Sequence, residues 1–375
     1  MQPSLRRLRA LLLLSLLLGC GHTEPFGTPP TGTEQPFDPG PPTRLTLNLG
    51  PDRGAAWLPD GSGILYSSQQ LGRRDPDVCL ALLPPGGGRQ RQLTCDLTVR
   101  GANTVDAVES PAPRLDGGLA YVGFGSPIGS IATVNSAIYF GSVSDPTNRT
   151  MVRSLPFTIP GRPLHSGASR LRWLSPTRLL FIGERVDFVR TCPACDTYDT
   201  LATGLNVISL DVSQPGGAPQ VVPSTDNASG LSLGANEDEI YFTLSADARV
   251  YRQTLSTGAV SVAYDFGAAG TARDVHVVGN RLAAVVGGRV SYSVDPVLGP
   301  TQWDSGGVLH LVDLAAATDV ALDGPGLFRR PQISPSGSGV AVEVYPISIS
   351  DPEFPGDLPD TIVSKAGDLY LYAQP

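Results

Sequence analysis

The chain has 375 residues, enough for a large core. Its 35 acidic against 27 basic side chains leave a net charge of −8, which argues against nucleic acid or an anionic lipid surface as the main partner, since both require a basic face. The 43 glycines and 35 prolines mean many turns; beyond the first twenty residues no long segment keeps a 3.6-residue apolar period, so helices are expected to be nearly absent.

Arg6, Arg7 and Arg9 precede an apolar run from Ala10 to Leu18. A bilayer-spanning helix needs about 20 apolar residues, so the run reads as the centre of a signal peptide over residues 1–19. Leu17-Leu18-Gly19-Cys20 resembles the lipobox of bacterial lipoproteins, in which cleavage falls before the cysteine and the cysteine is lipidated. That resemblance implies Cys20 as the lipidation site. With Gly21 following instead of aspartate, it also implies the outer membrane, the protein facing periplasm or cell surface. An ordinary signal peptide is the alternative. Residues 20–43, rich in proline, glycine and threonine, cannot bury enough apolar surface to order themselves and read as a tether. Residues 44–375 are left as the folded domain.

Within that domain six stretches share one phrase: an apolar strand, a tight turn, and a second apolar strand. In chain order they are AAWLPDGSGILYSS (55–68), SPAPRLDGGLAYVGF (110–124), SRLRWLSPTRLLFIGE (169–184), GLSLGANEDEIYFTLS (230–245), RDVHVVGNRLAAVVGG (273–288) and FRRPQISPSGSGVAVEVY (328–345). Their spacing of about 44 to 60 residues suits propeller blades. A second hairpin follows each of the first five, such as DVCLALLPPGGGRQRQLTC after the first, giving four strands per repeat. The sixth ends in GDLYLYAQP, a third strand without a fourth, while RLTLNLG (44–50) is a strand without a hairpin partner. Pairing these two solves both problems. The expected fold is therefore all-β: a six-bladed β-propeller of four-stranded antiparallel blades, its N-terminal strand closing the last blade.

Trp57, Pro59, Asp60 and Gly61, with Gln92-Leu93-Thr94 at the end of the fourth strand, resemble the TolB-type repeat, which is WD-like and built on a Pro-Asp-Gly turn. Trp173 with Ser175-Pro176, Asp116-Gly117, and Ser334 to Gly337 keep fragments of it. The resemblance implies a propeller of the cell envelope. TolB itself carries a separate N-terminal α/β domain; a lipid and a tether are expected here in its place.

Long connections between the second and third strands gather on one face of such a ring: 68–76, 125–135, 184–204, 292–307 and 346–367. Long loops in a compact domain are commonly functional. These carry Phe188, Trp303 and Phe354 among Arg73, Arg74, Arg185, Arg190 and Asp357, a mixture that suits a protein or peptide of the cell envelope. No cofactor is expected, and membrane contact only through the lipid on Cys20.

Cys79 and Cys95 lie symmetrically about Gly87 on two arms of a hairpin, which predicts a structural disulfide. Cys192-Pro193-Ala194-Cys195 has redox-motif spacing, yet it falls between strands and lacks the helix N-terminus that stabilises a thiolate. A loop-stapling disulfide is expected there, with redox or metal chemistry as alternatives. Gly230 to Gly234 matches G-x-S-x-G in form, but repeat alignment puts Ser232 inside a strand and not on a strand-to-helix elbow. His22, His165, His276 and His310 show no metal-ligating spacing, so neither a metal nor a catalytic residue is assigned. The expected function is non-catalytic partner binding. The alternative is a hydrolase or lyase acting on a carbohydrate at the channel mouth, which would require Glu109, Glu184, His165, Asp274 and His276 to converge.

Overall fold

A computed structural model describes residues 42–47, 50–69, 78–94, 107–125, 135–190, 198–214, 217–293, 301–349, 361–363 and 367–373. These are almost wholly β: the one helical turn among them is a 3-10 turn at Gly267–Ala269.

After β1 (Thr43–Arg44) the chain forms β2 (Asp52–Trp57), β3 (Ile64–Gln69), β4 (Val78–Leu83) and β5 (Arg91–Gln92), an antiparallel meander. A second meander follows: β6 (Ala107–Pro113), β7 (Gly118–Gly125), β8 (Asn135–Ser142) and β9 (Thr150–Leu155). One parallel pair, Val78 with Ala107, joins the two into an eight-stranded sheet. Two separate four-stranded antiparallel sheets come next. One comprises β10 (Gly167–Ser175), β11 (Arg178–Arg190), β12 (Tyr198–Asp211) and β13 (Gln220–Val221); the other comprises β14 (Ala228–Leu233), β15 (Glu239–Leu244), β16 (Arg249–Thr254) and β17 (Val260–Asp265).

The remaining strands are β18 (Thr271–Val278), β19 (Arg281–Gly287), β20 (Arg289–Ser293), β21 (Thr301–Ser305), β22 (Gly307–Asp313), β23 (Thr318–Ile333), β24 (Gly339–Tyr345), β25 (Ile347–Ile349), β26 (Thr361–Val363) and β27 (Asp368–Ala373). Seven of the strands form one sheet in the order β1-β27-β24-β23-β22-β19-β18. Its continuity comes from β23, which pairs β22 through Thr318 to Gly326 and β24 through Leu327 to Ile333. Pairs β20–β21 and β25–β26 are two-stranded hairpins.

Second strands are buried on both faces. Ile64-Leu65-Tyr66, Leu179 to Ile182 and Leu282 to Val286 read as unbroken apolar runs because a neighbouring sheet covers each side. Outer strands such as β17 are mostly exposed. The core is accordingly divided into apolar clusters, each lying between one meander and the next. Leu171, Phe181 and Ile208 meet Val122 and Ile138, for example, while Ala283, Val285 and Leu309 meet Phe328 and Val340. Each large side chain buried this way contributes roughly 1.5–3 kcal/mol.

Chain ends meet at one seam. Thr43 pairs Leu371, Arg44 pairs Tyr370, and the Leu45 N–H donates to the Leu369 carbonyl at 2.7 Å. The paired stretch is shorter than the expected strand over 44–50. Beyond Leu45 the Thr46 hydroxyl replaces the backbone, accepting the Leu369 N–H at 3.0 Å.

Two sequence expectations need correction. The connection 184–204 is not a loop along most of its length: β11 and β12 continue in register from Glu184–Gly204 to Arg190–Tyr198. Cross-strand pairing of ERVDFVR with the start of β12 extends the hairpin beyond the sheet. Trp303-Asp304, read as loop, lies in β21 and pairs with Val290 and Ser291.

Candidate functional site

The site is built by one repeated backbone irregularity. In β2, β6, β10, β18 and the second half of β23 the register slips just before the Trp57-equivalent position, between Arg53 and Ala56, Glu109 and Ala112, Ser169 and Arg172, Arg273 and His276, and Arg329 and Gln332. A slip also occurs in β14, between Ala228 and Gly230. At each of the first five bulges one residue takes a left-handed conformation: Gly54 (φ 67°), Ser110 (51°), Arg170 (54°), Asp274 (50°) and Arg330 (51°). Glycine adopts this conformation freely, whereas the other four cost about 1 kcal/mol or more apiece.

These strands pack in order, β2 on β6, β6 on β10, β10 on β14, β14 on β18, β18 on β23, and β23 on β2. The bulges therefore turn their side chains toward a shared cavity. Gly54, Ser110, Arg170, Arg172, Leu231, Asp274, Arg330 and Gln332 all line it.

Charge fills this centre. Asp274, buried, accepts from Arg170 Nε at 2.7 Å and from Arg170 Nη2, and also from the Arg330 N–H at 3.2 Å. Burial alone would push its carboxyl up, but Arg170 first and then Arg330 outweigh that and hold it below the usual carboxylate range. Glu184 accepts from Ser169 Oγ and lies 3.5 Å from Arg170 Nη1. Glu343, fully buried, takes Arg330 Nη1 at 3.3 Å, the Gly54 N–H and the Tyr345 hydroxyl. It is the main reason the Arg330 guanidinium is held protonated even more firmly than usual. Arg172 differs: burial, and then Arg170, draw its guanidinium down to about 10.

Tryptophans tie neighbouring meanders together just below the bulges. Trp57 Nε1 donates to the Gln332 carbonyl at 3.0 Å, and Trp173 Nε1 to the Ala112 carbonyl at 2.9 Å. Ser232, inside β14, does related work: its hydroxyl accepts the Val277 N–H at 2.8 Å. It is a bridge between strands, not a nucleophile on an elbow.

Of the five residues an enzyme would need together, only Asp274 lines the cavity. Glu184 reaches it through Arg170. His276 accepts the Ile333 N–H at its Nδ1, 3.0 Å away, and burial pulls its pKa down to about 3. His165 is buried and stacked on Phe157 with ring centres 4.9 Å apart. His310 approaches Asp319 at 3.2 Å on another surface. No group of three or more metal-ligating side chains occurs among the described residues.

Of the expected partner-binding residues, Arg185 is exposed and pairs with Asp187 at 3.0 Å. Phe188 and Arg190 lie on β11 and Trp303 on β21. Arg73, Arg74, Phe354 and Asp357 fall outside the described residues, as do Cys20, Cys95, Cys192 and Cys195. Cys79 is buried on β4, whose register (Ala81 with Gln92, Leu82 with Arg91) is offset by one residue from symmetry about Gly87. Missing from the sequence reading were Arg170, Arg172, Arg330, Gln332 and Glu343. Aligning the repeats on Trp57 puts Gly54, Ser110, Arg170, Gly230, Asp274 and Arg330 in one column, and that column was the available signal.

No protein-family model matches the sequence, and no curated protein does. Among solved structures the chain is similar to a gluconolactonase from Xanthomonas campestris (13% identity, 88% of each chain, TM-score 0.49). It is also similar to an oligogalacturonate lyase in complex with manganese (10% identity, 88% of this chain and 79% of that one, TM-score 0.44). TolB from Acinetobacter baumannii is a third (15% identity, 77% of this chain and 58% of that one, TM-score 0.44).

Proposed function

We propose that this is a six-bladed β-propeller lipoprotein of the TolB type that binds an envelope protein or peptide and performs no catalysis. The blade reading divides the eight-stranded sheet at its single parallel pair and the seven-stranded sheet within β23, the apolar clusters being the seams between blades. Cys20 carries the lipid after removal of residues 1–19, residues 20–43 hold the domain off the outer membrane, and Cys79–Cys95 and Cys192–Cys195 are disulfides.

The observation that carries the binding reading is where the fold spends its extra chain. β11–β12 run seven pairs past Gly183–Asn206, and β20–β21 and β25–β26 arise at the same point of their own meanders, after the second strand. The last two hairpins touch each other through β20 and β26. In this reading the three hairpins form a binding rim, with Arg185, Phe188 and Arg190 on β11 and Trp303 on β21. Meanwhile Glu184 and Asp274, two of the acids the carbohydrate-enzyme reading calls on, are engaged by Arg170, as the neighbouring Glu343 is by Arg330.

A photo-crosslinking residue at Arg185 in the full-length protein in cells tests this, with one at the exposed Val262 on β17 as control. A discrete partner captured from position 185 and not from 262 is expected. Identical capture from both, or none from 185, refutes the rim. Incorporation of a labelled fatty acid, lost in Cys20→Ser, tests the anchor separately.

A further inference from the structure

Residues 157–166 lead from the second meander to the third, and they are held only at their ends. Phe157 and His165 are buried, whereas 158–164 are exposed or half-buried. The Phe157 N–H donates to the His165 carbonyl at 2.9 Å, and the His165 N–H to the Phe157 carbonyl at 3.0 Å. Their rings lie 3° from parallel with centres 4.9 Å apart. The imidazole also abuts β11, where a Cβ at Gly183 would sit only 2.5 Å from His165 Cδ2. One residue on, the Ser166 N–H donates to the Glu184 carbonyl at 2.8 Å, and the Ser166 hydroxyl accepts the Val186 N–H at 2.7 Å. The segment therefore grips β11 where its extension with β12 begins.

This slot suits a neutral ring and not a cation. His165 is fully buried, and neither ring nitrogen has a hydrogen-bond partner. From β9 comes Arg153, its guanidinium 5.3 Å from the Phe157 ring centre. The segment itself brings Arg162, which repels a charged imidazole. On β11, Glu184 is engaged by Ser169 and Arg170. Among the described residues Asn206 of β12 favours the charged form, but its amide nitrogen donates to Asp226 at 2.7 Å. Asp226 in turn pairs with Arg162 at 2.5 Å. A protonated His165 would lose its water and meet no free carboxylate. Burial first, with Arg162 adding to it, holds its pKa below the ordinary value.

We propose that His165 is a proton-sensitive latch: when neutral it docks residues 158–166 against β11, and when protonated it leaves the slot and takes the segment with it. Undocking costs little else, because 158–164 already meet water. It uncovers Phe157, which packs edge-on against Phe181, and frees the backbone at Glu184 and Val186. An undocked imidazole returns to its ordinary value near 6.5. The latch is thus closed above that pH, and its opening eases by up to about tenfold per unit as pH falls below it. This holds whatever the extended hairpins bind.

Hydrogen exchange of the full chain, read as protection factors between about pH 7 and 5, tests the latch. The Phe157, His165, Ser166 and Val186 amides should lose protection faster than those of β15 and β16, which report opening of the whole fold. His165→Phe keeps a flat ring without a titration and should abolish that excess. Equal losses in both sets, or an excess that survives in His165→Phe, overturn the latch. Should His165→Phe fail to fold, the imidazole NMR signals of the unaltered protein decide. A His165 titration whose midpoint coincides with the local loss of protection supports the latch. Protonation that leaves the segment docked, or none in this range, refutes it.

Discussion

Left-handed backbone at Ser110, Arg170, Asp274 and Arg330 is kept by side chains of two kinds, and they should respond to substitution in opposite ways. Ser110 has no charge partner, so Ser110→Gly releases strain and, after the extra unfolded-state entropy of glycine, should stabilise by about 0.5–1 kcal/mol in urea unfolding. Gly54→Ala meets nothing closer than 3.5 Å, so its cost is conformational, about 1 kcal/mol. Asp274→Ala leaves Arg170 with Glu184 alone and frees the Arg330 N–H, and should cost about 1–3 kcal/mol. Histidines set the acid limit. Burial lowers the pKa of both His165 and His276, the latter to about 3, so the unfolded chain binds more protons than the folded one below its ordinary value near 6.5. Their stabilisation is complete above about pH 6.5 and drains as pH falls toward the folded values. Between about pH 6.5 and 5 the unfolding free energy should drop, His276 contributing a slope that approaches 1.4 kcal/mol per unit and His165 adding to it in the same direction. His276→Asn, whose amide oxygen can still accept the Ile333 N–H, should remove the His276 share of the slope and leave the His165 share.

At the scale of elements, the indole N–H groups of Trp57 and Trp173 join one meander's inner strand to the preceding one. Trp173→Phe removes a donor to the Ala112 carbonyl and weakens the stack of Arg114 on the ring, now 4.9 Å from its centre. A loss of about 1–3 kcal/mol is expected by chemical denaturation. Strands were legible because apolar runs such as Ile64-Leu65-Tyr66 are bounded by Asp-Gly or Pro-Ser turns, whose chemistry is local. The β11–β12 extension was not, because Cys192-Pro193-Ala194-Cys195 and its polar neighbours look like loop and only cross-strand pairing organises Arg185 to Arg190. The central network was missed for a related reason. Arg170, Arg172 and Arg330 are unremarkable charges in a linear sequence, and their meaning depends on strands 44 to 160 residues apart arriving at one place.

For the whole molecule, the decisive seam is the one no hairpin makes. Leu45 packs with Ala55, Ile64, Tyr66, Ala341 and Leu369, so the first described segment joins both the last strand and the first meander. Arg44 Nη2 reaches Asp368 at 2.6 Å, and the Asp52 N–H donates to the Gly367 carbonyl at 2.7 Å. Removing residues 42–47 would take away an apolar side chain, that ion pair and the edge bonds of β27, and Leu45→Ala alone should cost about 2–5 kcal/mol. Magnitude is less informative than where the loosening appears. In a closed circuit each meander is held by two neighbours, so opening one seam should speed amide exchange in β27 and β24 on one side and in β2 to β4 on the other. In an open stack the same deletion would unmask β27 alone and leave β2 to β4 protected by β6 to β9. Hydrogen exchange of the truncated protein against the full chain distinguishes the two. Faster exchange on both flanks, with Trp57 losing its bond to the Gln332 carbonyl, is the outcome a ring requires.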